Sequence, residues 1–406
     1  MKSIDFPFVI VGGGVVGMTL AFALARMGWP VALVEARAPQ PVVTADTDFR
    51  SIGLNFTSQQ FLCALGLWSD LQADACAMRQ IHISERGRFG ATRLNAEQEA
   101  VDAFGYIVPM HRITATLQQA VSKHPLITLY QPASVIAYDA HTLSLRREAQ
   151  VVTLRANAVI AADGKDSALR GFLQLPSVEK DYKQCALVVN AKFSKTNPGI
   201  AYERFMPGGP IAVLPHGGGQ CGVVWTLPSE VIPSVMSQDD ASLSQAIQRA
   251  FGYRLGRVMA LGQRAVYPLS LSYVKTVYSD GVIFMGNAAQ CIHPIAAQGL
   301  NLGLRDVAAF VRLLETTATD VATPFCIATL GRAYYAARQP DRTATIKLTD
   351  NLLSVFASKL PVLSQVRSVS LSLLELYAPL RRRIARSAMG RASHRVVQEA
   401  SDETTL

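Results

Sequence analysis

The chain has 406 residues, half of them hydrophobic, and a formal net charge of +9. That is enough to bury one large core or two joined ones, and no uncharged run is long enough to span a bilayer. Six Cys at 63, 76, 185, 221, 291 and 326 form no C-x-x-C pair and no Cys/His cluster, which argues against a metal centre and for free thiols in a reducing cytosol.

Residues 6–35 read as strand, turn, helix, strand: "FVIV", "GGGVVG", "MTLAFALARMG" and "PVALVEA". The early apolar stretch is broken by three consecutive Gly, so it is not read as a signal peptide. Helical periodicity recurs at 57–78 and 113–123. Residues 127–164 read as a run of strands that closes in a turn. From 181 to 273 the pattern is mostly β, interrupted by one helix, "SLSQAIQRAFG". "GVIFMGNAA" returns as a buried strand ending in a Gly turn. Beyond Asp306 the chain reads as helical, with apolar residues at 348, 352, 355, 356 and 360 marking an amphipathic helix that Pro361 stops. The net charge gathers late, in "RRRIARSAMGRASHR" (381–395). A solvated helix face, a contact with anionic membrane and a protein contact all fit such a cluster. Nucleic acid does not, because the body of the chain carries no recognition motif.

Gly12, Gly14 and Gly17 form G-x-G-x-x-G between a strand and a helix. The first allows the tight turn, the second a close approach of pyrophosphate, the third close packing of helix on strand. Glu35, ending the next strand, is placed to accept hydrogen bonds from an adenosine ribose. This fingerprint alone does not separate NAD from FAD. "AADGKDSALR" (161–170) is a second strand, turn and helix, with Ser167 as cap. The third is "GNAAQCIHPIAAQGLNLGLRD" (286–306). It places a second helix N-terminus after a Gly-containing loop, with free amides at Gly299, Leu300 and Asn301. Such amides suit the negative charge that a reduced flavin carries at N1 and O2.

Taken in this order, the three motifs resemble the FAD-dependent aromatic hydroxylases of the para-hydroxybenzoate hydroxylase type. "ERFMPGGPIAVLP", "YPLSL" and "RQPDRTATIKLTDNLLSVFA" look like the ubiquinone-biosynthesis branch of that family, most like its 2-polyprenyl-6-methoxyphenol hydroxylases, and the similarity covers nearly the whole chain. The resemblance implies an α/β fold: a Rossmann-like FAD-binding domain (1–180 and 274–345), an inserted, mostly antiparallel β-sheet substrate domain (181–273 with part of 80–110), and a helical C-terminus (346–406). It implies FAD held at Gly12, Gly14, Gly17, Glu35, Arg50, Arg112, Asp163, Gly286, Asn287, Pro294, Gln298, Gly299, Leu300 and Asn301, and no metal.

It further implies NAD(P)H as a transient co-substrate, O2 adding at C4a of the reduced flavin, and transfer of one oxygen atom to a phenol ring. The catalytic base is not legible. His293 and His216 are candidates, each as readily a structural residue. Tyr202, Arg204 and Trp225 lie in the expected substrate sheet. A polyprenyl phenol is lipophilic, so the expected setting is cytoplasmic, with contact at the inner face of the membrane or with a quinone-biosynthesis complex. Rival readings are a hydroxylase for another ring position or a soluble aromatic compound, and an FAD-binding subunit without turnover. Two departures from the family pattern stand out. Asn287 replaces an Asp, accompanied by Gln290 in place of His, and Ala297 replaces a Gly where a left-handed backbone would cost Ala about 1 kcal/mol.

Overall fold

The computed structural model describes residues 4–39, 44, 48–317, 325–357 and 377–391. Its first sheet is built on parallel strands in the order Val282–Phe284, Gln150–Ala161, Ile4–Val11, Val31–Val34 and Ile127–Tyr130. Parallel strands covered on both faces read as continuous apolar runs, and Phe8, Val9 and Ile10 are fully buried. Helix α1 (Val15–Arg26) buries Leu20, Ala21 and Leu24 against this sheet. Strands Ser134–Asp139 and Thr142–Arg147 extend it through an antiparallel ladder on Gln150–Ala161.

The second sheet has eight strands, ordered Gln290–Cys291, Val258–Val274, Ser177–Phe193, Gln220–Pro228, Ile211–Pro215, Ile200–Phe205, Gln80–Glu85 and Ala91–Asn95. All neighbours are antiparallel except Ile200–Phe205 with Gln80–Glu85. One face packs on a helix, here α6 (Asp240–Phe251), and forms a separate core with Leu187, Val189, Tyr202, Val213 and Val223. A third sheet of three strands contains Ser51–Asn55 and Gly105–Pro109.

The helices between these elements are α2 (Phe56–Ala64), α3 (Met110–Lys123), α4 (Ala168–Phe172) and α5 (Ile232–Met236). After the second sheet come α7 (Gln298–Thr317), α8 (Ile327–Ala357) and α9 (Ala378–Ala388).

Two expectations need correction. The helix expected over 57–78 stops at Ala64, because Gly66 takes φ +74° and closes a Schellman turn: its N–H bonds Cys63 O at 2.8 Å and Leu67 N–H bonds Leu62 O at 2.9 Å. The amphipathic segment expected from 346 is continuous with α8, which runs through Pro340, and Leu348 of its apolar stripe is 44% exposed. The other stripe side chains, and Pro361, lie outside the described residues. Helix α9 is seated on the fold. Ala385 and Met389 pack with Leu94, Ala96 and Phe104, and Thr57 N–H bonds Met389 O at 3.1 Å.

Candidate active site

Three parallel strands end at one level: Val11 pairs with Ala161, and Ala161 with Phe284. The chain therefore delivers Gly12, Ala162–Asp163 and Met285–Gly286 side by side, one turn from each motif. Bonds from Ala162 N–H to Val11 O (2.7 Å) and from Met285 N–H to Ala161 O (2.9 Å) knit the turns together. The carboxyl ends of parallel strands are where such sheets bind ligands.

The glycines of the first turn are required for different reasons. Gly12 has φ +112°, and a methyl there would stand 2.3 Å from Ala162 O; one on Gly17 would stand 1.9 Å from Gly12 O. Gly14 instead has no described atom within 4 Å of such a methyl and is exposed, leaving an open cradle. Gly14 is also the N-cap of α1, with no side-chain cap and no acid in the first turn. The amides of the first turn of this helix thus have no side-chain cap, as a pyrophosphate site needs. Glu35 folds over the turn, its carboxylate accepting from Gly13 N–H at 2.7 Å and Arg37 N–H at 2.8 Å. Lone pairs remain on both oxygens for ribose hydroxyls.

In the second motif, Ser167 caps α4 and Asp163 Oδ2 accepts from Ala168 N–H at 2.8 Å. Asp163 Oδ1 is buried with no partner among the described residues. Burial raises this carboxyl's pKa, only partly opposed by bonds from Ser167 and backbone amides. Arg170 reaches Ala288 O at 3.2 Å and Lys165 O, tying this motif to the third.

The third motif meets the first at Val16. Methyls built on Gly286 and Gly303 would stand 3.1 and 2.7 Å from Val16 Cγ2, so only glycines let α1, the 286 turn and α7 converge. Gly286 also has φ +55°. Asn287 and Pro294 are exposed, Gly299 and Leu300 half-buried, Gln298 and Asn301 buried. The Asn301 side chain is committed to structure: it accepts from Asn55 N–H (2.9 Å) and donates to Gly53 O (2.7 Å) and Ala297 O (2.6 Å). That side chain is therefore not available to a flavin. Ala297 takes φ +51°, the left-handed backbone its family position suggested.

Other expected residues are held by partners of their own. Arg112 bonds Asp74 at 2.7 Å and lies half-exposed on α3. Arg50 forms a two-pronged pair with Asp48 (2.7 and 2.6 Å) and lies over the Tyr267 ring, at the seam with the second sheet. His216 occupies a glycine hairpin turn and contacts Gly217 O. His293 is buried beside the Tyr182 ring; its Nδ1 accepts from Ile295 N–H at 3.1 Å, and Nε2 has no partner among the described residues. Burial holds its pKa down at about 4, so it is neutral at pH 7. Tyr202 and Arg204 point toward α6, Tyr202 against Phe251 and Arg204 bonding Phe251 O at 2.8 Å.

Sequence reasoning missed a buried ion network behind the 286–298 loop. Asp306, fully buried, accepts from Gly286 N–H (3.1 Å), Gln290 Nε2 (2.7 Å) and Arg338 Nε (2.7 Å). Arg338 also pairs with Asp341, which pairs with Arg305; Arg342 donates to Gln290 Oε1 at 2.7 Å. Burial alone would raise the Asp341 pKa, but the two arginines hold it below the usual value. Arg338 is raised in turn, its two carboxylates outweighing burial. The motif "RQPDR" (338–342) was the available signal. Its spacing puts Arg338, Asp341 and Arg342 on one helix face.

The sequence profile of the FAD binding domain family matches residues 5–341. The chain belongs to that family. It is 31% identical to the ubiquinone hydroxylase UbiL of Rhodospirillum rubrum, over 94% of this chain and 89% of that protein. It is 29% identical to the 3-demethoxyubiquinol 3-hydroxylase of Escherichia coli, over 94% of this chain and 97% of that protein. These relatives place the family member in the ubiquinone-biosynthesis branch of FAD-dependent hydroxylases. Among solved structures, p-nitrophenol 4-monooxygenase PnpA of Pseudomonas putida superposes with TM-score 0.77 at 17% identity, covering 97% of this chain and 99% of that one, a likeness of fold. FAD fits the residues present: an open glycine cradle, an uncapped helix end and an orphaned buried carboxylate oxygen face the same strand ends.

Proposed function

We propose that this protein hydroxylates the aromatic ring of a polyprenyl methoxyphenol on the way to ubiquinone, using FAD, NAD(P)H and O2. The convergence of both glycine turns on Val16 supports the reading, because it brings two distant stretches of chain together. Bound FAD would supply the redox chemistry, taking electrons from NAD(P)H and activating O2. The protein's part is binding, orientation and exclusion of water. In this reading the α1 amides hold the pyrophosphate and Glu35 the adenosine ribose. Asn287 accepts from a ribityl hydroxyl, while Pro294 and the 298–301 amides line the ring. The division into an FAD-binding part (1–180 and 274–345) and a substrate sheet is supported by their separate hydrophobic cores.

A lipophilic substrate calls for access from a membrane. Among the described residues no helix is long and apolar enough to cross one. Helix α9 instead offers a peripheral contact: Tyr377 and Leu380 are 60% and 42% exposed, beside exposed Arg382, Arg383 and Arg386. Apolar anchors flanked by cations suit the anionic inner face of a membrane.

The test is turnover. Purified protein should be yellow, and NAD(P)H oxidation should be stimulated by a prenylated methoxyphenol with a hydroxylated product seen by mass spectrometry. Colourless protein that cannot be reconstituted, or no phenol yielding product, would refute the reading.

A further inference from the structure

The second sheet turns one face to α6 and the other to the candidate flavin bed. Strand Ile200–Phe205 shows which residues go where. Tyr202 and Arg204 face α6. Phe205, on the opposite face, packs with Ile295 of the 286–298 loop and with Ile83 and Tyr182. Strand alternation puts Glu203 on the Phe205 face. Its register neighbours are Ile83 on one side and Ala212 on the other, and the row continues through Val224, Val188 and Ala265. Glu203 is thus a single carboxylate in a row of otherwise uncharged, apolar residues. Its neighbours Ile83, Ala212, Val224 and Val188 are all half-buried, while Val189, Val213 and Val223 on the α6 face are fully buried. The flavin-side face is therefore covered less completely than the α6 face.

Glu203 forms no hydrogen bond or ion pair with any described residue. Burial pushes its carboxyl up to about 7, with no charged group opposing the shift. A carboxyl in apolar surroundings without a partner is costly, and the cost is relieved when a ligand supplies a donor. A phenol is such a donor.

We propose that Glu203 is the group that receives the ring hydroxyl of the substrate, orienting the ring toward the loop that carries Pro294 and taking its proton during oxygen transfer. The proposal rests on the hydroxylase reading above. As the phenolic O–H breaks, its proton passes to the Glu203 carboxylate and its electron pair feeds the ring. The ring carbon ortho or para to that oxygen forms the new C–O bond to one oxygen atom as the O–O bond breaks, and the other oxygen leaves with the O–O electron pair, to be protonated to water. The hydrogen on that carbon then leaves as a proton, the ring regains aromaticity, and Glu203 returns its proton to the phenolic oxygen. The net change is C–H to C–OH, with NAD(P)H as reductant and the second oxygen atom released as water.

The experiment compares wild type, Glu203→Gln and Glu203→Asp as FAD-loaded protein with a prenylated methoxyphenol. Flavin content and melting temperature check folding, flavin absorbance reads substrate affinity, and single-turnover product formation reads the chemistry. Glu203→Gln is expected to keep its FAD and its fold, to weaken substrate binding modestly, and to slow product formation by about 100-fold, within the range general-base groups contribute. Hydrogen peroxide per NAD(P)H consumed should rise in that variant, and Glu203→Asp should recover part of the rate. Product formation in Glu203→Gln within about twofold of wild type, at unchanged coupling, would overturn the assignment. A wild type that hydroxylates no phenol would instead sink the underlying hydroxylase reading, so the two failures are told apart.

Discussion

The methyl group of Ala297 lies over the bare backbone of Gly53: a Cβ built on Gly53 would stand 3.2 Å from it. The space that one residue leaves is the space the other uses. Ala297 also holds φ +51°, where alanine is disfavoured by about 1 kcal/mol. Ala297→Gly should therefore raise the unfolding free energy by up to about 1 kcal/mol. Gly53→Ala should lower it, and the double variant should lose less than the single effects sum to, because the clash is shared. Denaturant titration of the four proteins reads the coupling; strict additivity would show that the two sites are independent.

Gly17→Ala should abolish yellow colour on purification. Its methyl would enter the Gly12 carbonyl, which cannot move without disturbing the strand end. FAD affinity is expected to fall by at least about 100-fold, or roughly 2.7 kcal/mol. Fluorescence titration with FAD checks this, and wild-type affinity would contradict it.

The buried network predicts an asymmetry. Asp306→Leu takes one of its two carboxylates from the buried Arg338 and leaves Gly286 N–H and Gln290 Nε2 without their acceptor, and should cost about 3–5 kcal/mol. Pairing it with Arg338→Met removes both charges and should recover much of that loss, since the desolvation cost disappears with the pair. Urea unfolding of the two variants decides; equal instability would mean that Asp306 acts mainly through Gly286 and Gln290.

His293 gives a pH window with a definite sign. Its pKa is about 4 folded against an ordinary 6.5, so between those values the unfolded chain binds more protons. Stability then falls as pH drops from about 6.5 to 4, by up to about 3 kcal/mol in total, and this contribution flattens below that. Glu203, raised to about 7, acts in the opposite sense, adding stability as pH falls from 7 toward its ordinary 4.5. A His293→Gln variant isolates the first effect: its stability should rise relative to that of the wild type as pH falls from 6.5 to 4, since the Glu203 contribution is common to both. Parallel stability–pH curves would rule that out.

The FAD half of the fold was legible because each of its turns is written in glycine. Gly12, Gly17 and Gly286 cannot be replaced without a clash, and the strands that precede them are apolar on both faces. The end of α2 was misread because a single Gly66 outweighs the apolar spacing that continues to residue 78. Glu203 was passed over for a different reason. Which face of its strand packs toward the 286–298 loop depends on pairing with Ile83, which lies far away in sequence. Arg50 and Arg112 were placed by family analogy alone, and their Asp48 and Asp74 partners follow from loop packing that no local pattern encodes.

The level ending of three strands has a consequence for biosynthesis. The cradle at Gly12 is made early in translation, but its neighbour Gly286 is among the last strand ends to leave the ribosome. Contacts of such long sequence separation form slowly and leave strand edges waiting. The edge of Gln150–Ala161 that will receive Val282–Phe284 must stay unpaired until most of the polypeptide exists. Cofactor loading in the cell should accordingly be a late, post-translational event, and a ribosome-stalled chain ending before residue 282 should leave FAD unbound.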